Sequence, residues 1–219
     1  MKLAIVQHLL RPAPAQDLEA LVIAAARAAA SGADLVIVPD VNAVSDGPLR
    51  DELARRLDDA VAVPTLVAGT DLETVAEGLG RVLLLSGDDC MEAEVLRSLA
   101  ADPPDALVLA PGSESELQAE AMLELAIGLS TSVASLVMIV EADGAEPGVA
   151  GHGGSAIVHL GEVLAEALAG DDVLLADLAD PPGRPEPRGS MPQVPPLLAG
   201  RLAAHQGRKP DVGYPADLG

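Results

Sequence analysis

The chain has no Phe, no Trp and a single Tyr, Tyr214, among its 219 residues. It therefore lacks the aromatic platforms on which nucleobases stack and the cages that hold quaternary cations. Lysine is almost as scarce, with Lys2 and Lys209 at opposite ends. Chemistry that needs a lysine in the middle of the domain is excluded by counting. One cysteine, Cys90, excludes an intrachain disulfide. Basic residues are few: 13 Lys and Arg against 34 Asp and Glu leave a net charge of −21. That balance argues against nonspecific nucleic-acid binding, which needs cations to displace counterions, and against anionic membrane surfaces. The longest uncharged apolar stretch is Leu125–Val140, 16 residues, short of the ~20 that span a bilayer. MKLAIVQHLL reads as a strand rather than a leader, so a cytoplasmic protein is expected.

What is present is apolar. Hydrophobic residues make up 49%, too many for a disordered chain and enough for one sizeable domain. Short apolar runs alternate with helical periodicity. Strands are expected at 2–7, 33–40, 61–68, 81–85, 105–110, 134–140 and 172–178. Helices are expected at 16–31, 48–60, 91–101 and 114–129. Leu18, Leu21, Val22, Ala25 and Ala29 form the apolar stripe of the first helix, with Gly32 as its C-terminal cap. SAIVHL and EVLAEAL, joined at Gly161, read as a hairpin over 155–168. Strands apolar on both faces imply buried sheets in an α/β layer fold. Residues 181–196 hold seven prolines and read as a semi-rigid arm, followed by a short helix over 197–205 and an irregular tail.

Several residues invite a chemical reading. Asp40, Asp71, Asp88 and Asp89 all follow expected strands, so their carboxylates could converge on a hard divalent cation. Ser113 and Glu116 have the spacing of a helix capping box. His8, His152, His159 and His205 show no metal-ligand spacing, and His152 sits in a Gly-rich turn beside Ser155. Arg201, His205, Arg208 and Lys209 form a local basic patch near the C-terminus.

The order of segments resembles a known family. KLAIVQ followed by DLEALVIAAARAAASGADLVIVPD is similar to the opening of the nitrilase superfamily, the carbon–nitrogen hydrolases. RVLLLSGDDCMEAEVLRSLAADPPDALVLAPGS resembles its nucleophile segment, ELAIGLSTSVASLVMIVEADG the helix–strand unit that follows, and GHGGSAIVHLGEVLAEAL its late hairpin. The resemblance covers about residues 2–178.

In that family a glutamate base activates a cysteine nucleophile and a lysine stabilises the developing charge. The resemblance places Asp40 at the glutamate, one methylene short, and a misplacement near 1 Å costs about 10²-fold in rate. Matching Asp89, Glu94 and Arg97 to the family's Asp, Glu and Arg puts Gly87 at the cysteine. Cys90 lies three residues on, among Asp88, Asp89, Glu92 and Glu94, whose charge disfavours a thiolate. The lysine has no counterpart, because only GTDLETVAEGLG, residues 69–80, joins the flanking strands.

The resemblance implies a nitrilase-like α-β-β-α sandwich lacking one hairpin over residues 1–180, with a Pro-rich arm and tail over 181–219. It implies a catalytically inactive protein that acts through protein–protein association, as a homodimer or with a related nitrilase-family partner. No cofactor and no metal belong to that reading. Two alternatives stand beside it: a residual amidase-type hydrolase using Asp40 and Cys90, and a carboxylate divalent-metal site at the strand ends.

Overall fold

The computed structural model describes residues 1–10, 14–39, 48–68, 72–76, 78–144, 152–179, 182 and 192–207. Two sheets lie face to face. The first takes β1 (Lys2–Leu10), β2 (Leu35–Val38), β3 (Thr65–Val67) and β11 (Asp172–Asp177) in the order β11-β1-β2-β3, with β8 (Ala142–Gly144) paired to the end of β1. The second takes β4 (Leu72–Ala76), β5 (Gly80–Ser86), β6 (Ala106–Ala110), β7 (Leu136–Ile139), β9 (Ala156–His159) and β10 (Glu162–Glu166) in the order β10-β9-β7-β6-β5-β4. Helices α1 (Pro14–Ala30) and α2 (Pro48–Ala60) cover the first sheet. Helices α3 (Ala93–Ala101), α4 (Glu116–Ser132) and α5 (Pro196–His205) cover the second. The chain is thus an α-β-β-α sandwich, as the segment order implies.

The continuous apolar strands follow from burial on both faces. Leu3, Ile5, Leu35 and Ile37 meet Val82, Leu84, Val108, Leu136, Met138 and Ile157 between the sheets. Their neighbours alternate outward: Ala4, Val6, Val36 and Val38 pack under α1 and α2, while Leu107, Leu109, Val137 and Ile139 pack under α3 to α5. Successive side chains on a strand point to opposite faces, so a strand sandwiched between layers needs apolar residues at every position.

Helix α1 ends as expected, with Gly32 at φ 86° and the amide of Ala33 bonded back to the carbonyl of Ala28. The expected hairpin at 155–168 forms between β9 and β10. Its turn places Leu160 at φ 51° and Gly161 at φ 86°, the left-handed pair that matches strand twist.

Two strands were not legible in the sequence. Residues 69–80, read as a bare connector, contain β4, antiparallel to β5 from Leu72–Leu84 to Ala76–Gly80. The tight return uses Gly78 and Gly80, at φ 81° and 76°, where an L side chain is disfavoured. β8, three residues long, runs parallel to β1 at His8–Leu10 and ties the sheets together at one end. Nearby, buried His8 links three elements: its Nε2 lies 2.8 Å from Asp17 Oδ1 on α1 and its Nδ1 lies 2.9 Å from Asp171 Oδ1 before β11.

Candidate functional site

β5, β6 and β7 run parallel, so their C-terminal ends fall along one edge, where ligand sites of α/β sheets form. Each strand delivers a short polar segment there. β5 leads into a single 3-10 turn, Gly87–Cys90. Gly87, the position matched to the family's nucleophile, has φ 52°. A Cβ built on it meets nothing within 4 Å. The backbone therefore presents this position to open space in a conformation that costs a non-glycine residue about 1–2 kcal/mol, and it presents no side chain.

Cys90 lies at the other end of the turn and points away from solvent. It is fully buried, its Sγ donating to the carbonyl of Leu85 at 3.3 Å. Its surroundings are the core under α3 to α5, with Met91, Leu96, Leu107 and Met122 in the same cluster. Asp88 and Asp89 stay half-buried on the turn. Asp40, two residues past β2, and Asp71 lie outside the described residues, as do Arg208, Lys209 and Tyr214. Among the described residues no group of three or more His, Cys, Asp or Glu side chains is placed to hold a metal ion.

A buried carboxyl at this edge belongs to Glu141, two residues past β7, which the sequence reading passed over. It is 3% exposed. The Ser113 amide donates to its Oε1 at 2.9 Å and the Ser113 hydroxyl at 2.7 Å. Burial pushes its carboxyl up to about 7, against the opposing pull of the Ser113 hydrogen bonds and the Arg201 charge. Ser113 is therefore a carboxylate ligand and not the helix cap. The cap of α4 is Ser115, which accepts from the Gln118 amide at 3.3 Å, while Gln118 Oε1 accepts from the Glu114 amide at 2.9 Å. The cap sits two residues later than the spacing of Ser113 and Glu116 suggested, and Ser113 instead bonds the buried Glu141.

The network continues between the sheets. The Glu141 amide donates to Ser155 Oγ at 3.0 Å. The Ser155 amide donates to Gln7 Oε1 at 2.9 Å, and Gln7 Nε2 donates to the carbonyl of Gly170 at 3.1 Å. Ser155 thus serves as a buried structural link, while His152 is exposed and bridges to Asp143 through the backbone.

α5 closes the edge. Its Arg201 side chain is 7% exposed and donates from Nη2 to the carbonyls of Pro111 and Gly112 at 3.1 and 3.0 Å. His205 places Nδ1 2.9 Å from Asp88 Oδ1 and Nε2 3.2 Å from Glu114 Oε1. The hydrogen bond to Asp88 holds this imidazole above its ordinary value, against partial desolvation and the Arg201 charge. Two members of the sequence's basic patch are thus turned onto the strand-end turns, Arg201 onto backbone carbonyls and His205 onto carboxylates.

No family model matches the chain, and no curated protein matches it. Solved structures do. A mutant of the amidase from Nesterenkonia sp. AN1 in complex with butyramide is similar at a TM-score of 0.62 and 20% identity, over 81% of this chain and 90% of that one. The NitN amidase from the same organism gives a TM-score of 0.61 at 20% identity, over 82% and 93%. A nitrilase-superfamily mutant of that amidase gives 0.60 at 21% identity, over 82% and 91%. Another mutant carries acrylamide on its active-site cysteine, with a TM-score of 0.60. At these identities the likeness establishes the fold: a nitrilase-like domain.

Proposed function

We propose that this chain is a carbon–nitrogen hydrolase-type domain that has lost covalent hydrolysis and acts through protein–protein association, as a homodimer or with a related chain of the same fold. One observation carries the reading. The turn after β5 offers open space at Gly87, where the resemblance puts the thiol, and the one cysteine of the chain is buried in the helix-side core. A covalent acyl intermediate needs a nucleophile exposed where the substrate carbon sits. Association is supported by Leu117 on α4 and Leu197 on α5, apolar side chains 64% and 45% exposed on neighbouring helices.

The test is ammonia release from acetamide and butyramide by the purified chain. No release above the uncatalysed rate is expected. Turnover that disappears in Cys90→Ser would overturn the reading in favour of the residual amidase using Asp40 and Cys90. Light scattering of the same sample checks association, and a mass of 22.1 kDa at micromolar concentration would count against a homodimer.

A further inference from the structure

α5 lies near the C-terminal end of the chain and is held by both apolar and charged contacts. Leu198 is fully buried, and Leu202 packs against the cluster that holds Cys90 and Met91. Pro192, just before the helix, sits against Gly128 of α4, where a Cβ would collide with the proline ring. The last turn of α5 then reaches both sides of Cys90. His205 contacts Asp88, two residues before the cysteine, and Gln206 Nε2 donates to Glu92 Oε2, two residues after it, at 3.4 Å. Both ring nitrogens of His205 face carboxylate oxygens, an arrangement satisfied on both sides only when both nitrogens carry hydrogen.

We propose that α5 is a charge-locked strap: protonated His205, held between Asp88 and Glu114, keeps the helix closed over the core around Cys90, and loss of that proton loosens it. The groups facing His205 are Asp88 on the turn after β5, Glu114 before α4 and Arg201 on α5 itself. The first two favour the cation and Arg201 opposes it. Because the imidazole is held above its ordinary value, the lock is complete below the usual histidine range and weakens as pH rises through the raised value. Arg201 anchors the middle of the helix to the carbonyls of Pro111 and Gly112, so the strap loosens at its C-terminal end first.

Cys90 reports the opening, being fully buried when the strap is closed. The full chain is reacted with N-ethylmaleimide at pH 6.0 and pH 8.5 and followed by intact mass. His205→Gln is compared with the unaltered chain at each pH, which cancels the change in thiolate fraction. Exposed ion pairs contribute modestly, so labelling at pH 6.0 is expected to be roughly two- to fivefold faster in His205→Gln. The two chains should converge at pH 8.5. Asp88→Asn, which leaves α5 untouched, should reproduce the effect at pH 6.0. Hydrogen exchange of the amides of residues 197–206, compared at the same pH, should rise in both variants. Equal labelling at pH 6.0, or one ratio at both pH values, would overturn the proposal. So would faster labelling without faster exchange in α5, since opening would then arise elsewhere.

Discussion

Glu141→Gln tests a carboxyl that the fold buries, at 3% exposure. In the unfolded chain this group ionises near an ordinary 4.5, and in the folded chain burial raises that to about 7. The folded state therefore holds a proton that the unfolded state has released between those values. Stability falls as pH rises through that window and the penalty is constant above it. A shift from 4.5 to about 7 corresponds to on the order of 3 kcal/mol. Glutamine keeps an oxygen for the Ser113 amide and hydroxyl, which now approach Glu141 at 2.9 and 2.7 Å, and carries no charge to desolvate. The variant should match the parent at pH 4.5 and exceed it at pH 8 by up to on the order of 3 kcal/mol. For a chain of this size that is a melting temperature higher by roughly 5–10 °C. Urea unfolding and thermal melts at both pH values read the difference directly, and the other titrating groups cancel between the two proteins. If the gap is the same at both pH values, Glu141 does not titrate differently on folding. If the variant is less stable at pH 8, attraction to Arg201 outweighs desolvation and the carboxylate is charged throughout.

Three further outcomes are expected. Gln7→Ala removes the acceptor for the buried Ser155 amide and should cost about 1–3 kcal/mol in urea unfolding; a neutral result would mean that water replaces the side chain between the sheets. Leu160 is 58% exposed and sits at φ 51°, so Leu160→Asn should raise stability by about 0.5–1 kcal/mol. Gly87→Cys should accept acrylamide at residue 87 by peptide mass mapping, because that position faces open space, yet release no ammonia from acetamide. Alkylation confined to Cys90 would refute the placement of residue 87.

The layers were legible in the sequence because their cause is local. A strand with both faces covered must be apolar at every position, as in LVIV of β2 or LVMI of β7, and a helix on the outside shows a stripe, as α1 does. The hairpin at Gly161 was legible for the same reason, since a left-handed turn leaves a glycine. β4 and β8 were not. LETVA carries charge and looks like a connector, and three residues of β8 have no periodicity to read. Only pairing with β5 and β1 makes them strands.

At the site the division is the same. The sequence by itself determined that one cysteine serves the whole chain and that mid-chain lysine is absent. These are matters of residue identity and no packing can alter them. The tertiary structure decided the rest. Ser113 and Glu141 are 28 positions apart, Gln7 and Ser155 148, and Asp88 and His205 117. A carboxyl in one fragment cannot show whether it will be desolvated, nor an imidazole which carboxylates it will meet. Those energies depend on groups that only the closed sandwich brings within hydrogen-bonding distance.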